Sequence, residues 1–277
     1  MRWSMRWQRV ATMLGGAAAC AAAALPSSSA FAETASAGDE KRWSANASVV
    51  SQYVSRGLRQ TWGKPALQAG VDYTAPSGFY AGVWGSQVSD HVIAGAHAEI
   101  DTYLGYATTV AHDIELTTGL YRYWYPGARY DKAFAGGPAT GYDYTEWMVG
   151  AGWRGVSVKL WTTLSNYFGF DGNALADGID KGSRGSTYAE ANWDVPLPND
   201  FTLGLHVGHE HVRNHSAFSF TDYRIELSRP INKFLTLSAA LTGADAPAYA
   251  HQASARNGTD HMTLGRRTVA LKLTATY

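Results

Sequence analysis

The chain has 277 residues, with 23 basic and 23 acidic side chains and a formal net charge of zero. It holds one cysteine, Cys20, which excludes a disulfide framework and cysteine-built metal or redox centres. The charge balance also excludes the clustered positive field that nucleic-acid binding needs, so no nucleic-acid partner is expected.

Residues 1–32 read as an export signal. Arg2, Arg6 and Arg9 give a positive start, Val10 to Leu25 is apolar and alanine-rich, and Ala30-Phe31-Ala32 offers small residues to a signal peptidase. Cleavage after Ala32 is expected; the alternative is a membrane anchor, for which the apolar run is short. Cys20 would leave with the signal, and Ala17 before it is smaller than a lipoprotein signal requires. The three arginines also leave and no acid does, so residues 33–277 keep 20 basic and 23 acidic side chains, a net charge of −3. Residues 33–42 are small and polar and read as a short flexible lead.

From Trp43 to Tyr277 no apolar run of helix-spanning length remains, although the chain holds 16 tyrosines, 10 tryptophans and 29 glycines. The segments instead alternate in character over ten to thirteen residues, the period of half-buried strands. Strands are predicted at 44–55, 65–75, 79–88, 97–109, 113–125, 143–153, 156–167, 186–195, 200–212, 220–229, 233–244 and 265–277. Their connections alternate in length. Short ones fall at Pro76-Ser77-Gly78, Ala111-His112, Arg154-Gly155, 196–199 and 230–232; long ones fall at 56–64, 89–96, 126–142, 168–185, 213–219 and 245–264. Outer-membrane barrels alternate in this way, with tight periplasmic turns and longer outer loops. The fold class expected is all-β: one transmembrane antiparallel up-and-down β-barrel of about twelve strands over 43–277.

The strand faces agree with this. Val269, Leu271, Leu273, Ala275 and Tyr277 oppose Thr268, Ala270, Lys272, Thr274 and Thr276. Phe201, Leu203, Leu205 and Val207 oppose Thr202, His206 and Glu210. A charge facing lipid at mid-depth costs roughly 2–4 kcal/mol, and parity puts the mid-strand charges on the other face. Aromatic residues gather near strand ends, as interfacial girdles do: Trp43, Tyr73, Phe79, Tyr123, Trp124, Tyr125, Trp147, Trp153, Tyr167, Phe168, Trp193, Phe201, Phe220 and Tyr223. The alternating last strand ending in Tyr277 is similar to the signal that barrel-assembly machinery recognises.

The stretches Val50-Ser51-Gln52-Tyr53-Val54-Ser55-Arg56-Gly57, Pro65-Ala66-Leu67-Gln68-Ala69-Gly70-Val71-Asp72-Tyr73 and Gly78-Phe79-Tyr80-Ala81-Gly82-Val83-Trp84-Gly85-Ser86 resemble the start of the TorF family of porins. Glu99-Ile100-Asp101-Thr102-Tyr103-Leu104-Gly105-Tyr106, Tyr123-Trp124-Tyr125-Pro126 and Tyr144-Thr145-Glu146 are similar in character. The resemblance covers nearly all of 33–277 and is best in its first half. It implies a proteobacterial outer-membrane channel. It brings no catalytic residues, no cofactor and no defined solute.

Parity turns an acidic set inward: Asp72, Glu99, Asp101, Glu115, Glu146, Glu190, Asp194, Glu210, Asp222 and Glu226, against Arg56, Lys159, Arg224, Arg266 and Lys272. The expected pore lining is Asp72, Glu99, Asp101, Glu115, Glu146, Lys159, Glu190, Asp222, Arg224 and Glu226, an acid-rich wall that would favour small cations and other hydrophilic solutes. The competing reading is that these charges pair with one another and fill the barrel, leaving loops 126–142, 168–185 and 245–264 as the working surface. His206, His209, Glu210 and His211 supply at most two ligands to either strand face, too few for a structural metal, and read as surface histidines. No Gly-x-Ser-x-Gly nucleophile elbow occurs, so an outer-membrane lipase or protease is a weaker alternative. A soluble periplasmic barrel is another, and it would lack a continuous apolar belt. Asn46-Ala47-Ser48, Asn214-His215-Ser216 and Asn257-Gly258-Thr259 match the glycosylation acceptor pattern by chance, and in-strand glycines such as Gly70, Gly82, Gly105, Gly119 and Gly150 are expected to ease bends and close packing.

Overall fold

The computed structural model describes residues 42–110, 113–175 and 177–277. The expected signal segment, nearly all of the lead and the turn residues Ala111-His112 lie outside the described residues.

Twelve strands form one closed antiparallel barrel. They are β1 (Trp43–Val50), β2 (Ala66–Thr74), β3 (Phe79–Gln87), β4 (Ala98–Val110), β5 (Ile114–Trp124), β6 (Tyr144–Trp153), β7 (Val156–Thr163), β8 (Thr187–Pro196), β9 (Thr202–His211), β10 (Phe220–Pro230), β11 (Leu235–Asp245) and β12 (Thr268–Thr276). Each strand pairs with its neighbours in sequence, and β1 pairs with β12, from Asn46 opposite Thr276 to Val50 opposite Lys272. Reciprocal backbone bonds between Ala45 and Tyr277 at 3.0 and 2.9 Å continue that seam. Closure matters because it leaves no strand edge with unpaired backbone groups.

The connections at one end are short and at the other long, so both chain ends of the barrel share the short-turn end. The tightest short turn is Arg154-Gly155, where both residues have positive φ (+49° and +81°). That is the twist a two-residue hairpin needs, and glycine accepts it without steric cost.

Alternation divides the barrel wall. All twelve strands present large apolar side chains outward, among them Val49, Leu67, Val83, Leu104, Leu120, Trp147, Leu160, Trp193, Val207, Ile225, Leu237 and Leu271. A soluble protein rarely exposes a contiguous apolar patch beyond a few hundred Å², and here the patch runs round the whole barrel. Exposed Trp43, Phe79, Trp153, Trp193, Phe234 and Tyr277 lie towards the short-turn end. Five aromatics expected in the girdles point elsewhere: Tyr123, Tyr125, Tyr167, Phe168 and Phe220 are buried. Tyr123 has the inward parity of Tyr121, and the others join Tyr130, Tyr142, Tyr144, Phe170 and Tyr249 in a core formed with the long loops. Stacked pairs within this core include Tyr123–Tyr144 and Tyr130–Tyr142, with ring centroids 4.4 and 4.3 Å apart.

The inward wall is packed by tyrosine over glycine. Gly82 faces Tyr103 and Gly105 faces Tyr80 across neighbouring strands. A β-carbon on Gly82 would lie 2.6 Å from the Tyr103 ring, and one on Gly119 would lie 2.6 Å from the Tyr80 hydroxyl. The in-strand glycines thus make room for rings inside the barrel.

The predicted strands all occur, with shifted ends. The first stops at Val50 and does not run to Ser55, because the Gln52 side chain bonds Thr268 Oγ1 (2.7 Å) and the Val269 carbonyl (3.0 Å). The backbone then leaves the wall. The last strand begins at Thr268, so Arg266, expected on its inner face, is an exposed residue of the preceding loop.

Candidate functional site

The site is the lumen, and its central element is the segment between β1 and β2. Residues 51–65 do not stand out from the barrel end as an ordinary outer loop. They fold inward and form a small hairpin, Val54–Ser55 against Leu58–Arg59, turned at Arg56-Gly57. Arg56 (φ +42°) and Gly57 (φ +73°) both occupy the left-handed region, as in a two-residue hairpin turn. Tyr53, Ser55, Leu58, Gln60 and Thr61 are buried, and the Tyr53 ring meets Trp84 of β3 edge-on at 5.6 Å.

The hairpin tip crosses the barrel. Arg56 starts from the β1–β2 side and reaches β6 and β9 on the far wall: its two terminal nitrogens lie 2.8 Å from Glu146 Oε2 and 2.6 Å from Glu210 Oε2. Its guanidinium lies 4.0 Å from the Tyr188 ring centre and 5.9 Å from that of Trp161. The side chains of this pairing are 1 % exposed or less. Burial opposes the Arg56 charge, but Glu146 and Glu210 outweigh it and hold the guanidinium above its ordinary pKa. Tyr123 donates to Glu146 at 3.0 Å. Below the tip, a β-carbon on Gly57 would collide with Asp222 and with the Gly243 carbonyl at 2.7 and 2.6 Å, so the turn is wedged against β10 and β11.

The hairpin divides the lumen into a sealed part and a cavity. In the sealed part Glu99 and Asp101 of β4 are 0 % exposed. Asp101 meets no hydrogen-bond donor among the described residues. On the other side a cavity of about 160 Å³ is bordered by Arg56, Lys159, Glu190, Arg224, Glu226 and Lys272, among others. Its charged lining is mixed in sign, whereas Glu99, Asp101, Glu146 and Glu210, all fully buried, lie outside it.

The ten residues expected to line a pore all project inward, but they do not share one surface. Lys159, Glu190, Asp222, Arg224 and Glu226 border the cavity. Glu99, Asp101 and Glu146 lie in the sealed part. Asp72 accepts a hydrogen bond from Tyr103, and Glu115 stands half-buried beside Gly152.

His206 corrects the surface reading given to the histidines of β9. It is mid-strand and turned inward: Nδ1 lies 2.8 Å from Asn192 Oδ1, and Nε2 lies 2.9 Å from Asp222 Oδ2 and 3.1 Å from the Tyr188 hydroxyl. His209 and His211 are exposed. The signal in the sequence that places His206 inward is its shared parity with Glu210 in the middle of the strand. Tyr53, Trp161 and Tyr188 were missed altogether. Among the described residues no group of three or more metal-ligating side chains is arranged to hold a metal.

The solved KdgM porin superposes on this chain with a TM-score of 0.50 at 10% identity, over 84% of this chain and 98% of the porin. The NanC porin gives 0.47 at 9% identity, over 85% and 98%. No curated protein sequence matches. The KdgM likeness is one of fold, a closed barrel of this size. The sequence itself matches the family described as "Bacterial protein of unknown function (Gcw_chp)" over residues 33–277, and the chain belongs to that family.

Proposed function

We propose that this protein is an outer-membrane channel through which small hydrophilic solutes diffuse passively. The observation that carries the reading is the inversion of the barrel wall: large apolar side chains face outward on all twelve strands, while Lys159, Glu190, Arg224 and Glu226 face an interior cavity. An apolar belt with a polar interior suits a lipid exterior and a wet lumen. The resemblance to the TorF family of porins and the shared fold of the KdgM porin support the same reading. In this orientation the short turns face the periplasm and the long loops face outside. Residues 1–32 direct export and are removed near Ala32, and the strand ending in Tyr277 is presented to barrel-assembly machinery. The cavity's own charges are mixed in sign, so a lean towards cations would come from Glu99, Asp101, Glu146 and Glu210, which lie outside it.

Flux into proteoliposomes tests this. Vesicles carrying refolded residues 33–277 should admit small ions and monosaccharides that protein-free vesicles exclude. Inserted, heat-modifiable barrels that admit neither would favour a second reading, a filled barrel whose outer loops do the work. The burial of Glu99, Asp101 and Arg56 favours that second reading.

A further inference from the structure

The tip of the hairpin at residues 54–59 is ion-paired to the barrel wall through one side chain. Arg56 is held by Glu146 on β6 and Glu210 on β9, and no other lysine or arginine pairs with either among the described residues. The tip is backbone-strained, since a non-glycine residue at φ +42° is held only where its surroundings compensate. Behind it, Glu99 and Asp101 are sealed, and Asp101 lacks any donor among the described residues. Buried carboxylates with so little compensation are costly while the space around them stays shut, and water entering it would solvate them, so the shut state is held against that cost.

We propose that segment 51–65 is a displaceable plug, that Arg56 is its latch, and that Glu99, Asp101, Glu146 and Glu210 form the cation-selecting lining of the unlatched channel. With Arg56 withdrawn, two strands of the far wall lose their counter-ion, and the four carboxylates face one aqueous space. The latched lumen presents only the mixed-charge cavity; the unlatched lumen presents a carboxylate ring, the arrangement that favours cations. The selectivity part of this proposal rests on the channel reading, whereas the latch does not.

Asp101→Cys separates the two, because residues 33–277 contain no cysteine of their own. With Arg56 in place, a membrane-impermeant thiol reagent should modify the introduced thiol slowly in folded, inserted protein. Adding Arg56→Ala should accelerate modification by about two to three orders of magnitude, the factor a broken buried ion pair puts on an opening equilibrium. Equal rates in the two backgrounds would overturn the latch. Heat-modifiable mobility on gels reports barrel closure; if Arg56→Ala fails that check, Glu146→Gln with Glu210→Gln releases the latch from the other side and should give the same acceleration. Conductance is then read on the same proteins without the cysteine. Larger, cation-selective steps on unlatching support the full proposal. Unchanged steps overturn it while leaving the channel. Accelerated labelling without any conductance keeps the latch and removes the channel reading.

Discussion

Gly82 and Tyr103 stand directly opposite each other on β3 and β4, and the Tyr103 ring fills the place a side chain on Gly82 would take. The Tyr103 hydroxyl reaches past that glycine to Asp72 on β2. On β8 and β9 the Tyr188 ring lies over Gly208 from the diagonal position, opposite Glu210, and Tyr188 donates to Asp222 at 2.9 Å. Tyr103 and Tyr188 thus each span the wall over a glycine and tie a carboxylate.

Gly82→Val should displace Tyr103 and release Asp72. Overpacking of this kind costs about 1–3 kcal/mol. Urea titration of the heat-modifiable band should show an earlier midpoint, and Val83→Ile on the outer face of the same strand should leave the midpoint unchanged.

The two faces of a strand should differ in their tolerance of charge. Leu104→Arg on the exposed face of β4 should cost roughly 2–4 kcal/mol in lipid. Thr242→Arg, on the inner face of β11 beside the cavity, should cost much less. Folding yield into vesicles measures both, and equal costs would deny the lipid-facing belt.

His215 joins two outer loops. Its Nδ1 lies 2.6 Å from Asp177 Oδ2 and its Nε2 lies 2.8 Å from the Lys181 carbonyl. His215→Ala removes both ties, so limited proteolysis within 177–183 should be faster in that variant than in the unaltered protein, and equal rates would deny that the ring joins the loops.

Tyr277 follows the strand that closes the barrel, and its backbone bonds Ala45 in both directions. Removing the Tyr277 ring by Tyr277→Ala keeps those bonds. In cells it should lower the amount of heat-modifiable barrel several-fold, while refolding in detergent stays near normal. Equal losses in both settings would point to stability and away from assembly.

The wall of this barrel was legible in the sequence because lipid and lumen impose a period of two on every strand, and loop lengths alternate with the ends. The contents of the lumen were not. Arg56-Gly57 lacks the Asn-Gly or Asp-Gly signature of a tight hairpin, and the partners of Arg56 lie 90 and 154 residues away. Parity states that Glu99, Glu146 and Glu190 face inward; it does not state which of them water reaches. The aromatic residues show the same limit: Tyr123 and Trp124 are adjacent and equally suited to a girdle, yet only Trp124 faces out. His206 lies in the middle of both the predicted strand 200–212 and the observed β9, on the face of Glu210; its grouping with the neighbouring His209 and His211 is what the surface reading rested on.

Planar-bilayer recording under a salt gradient, on residues 33–277 and on the same chain carrying Arg56→Ala, shows whether the barrel conducts and whether Arg56 restricts it. Discrete steps are expected from both, larger, longer-lived and with a cation-side reversal potential once Arg56 is removed. Silence from both proteins, each inserted and heat-modifiable, would contradict the channel reading.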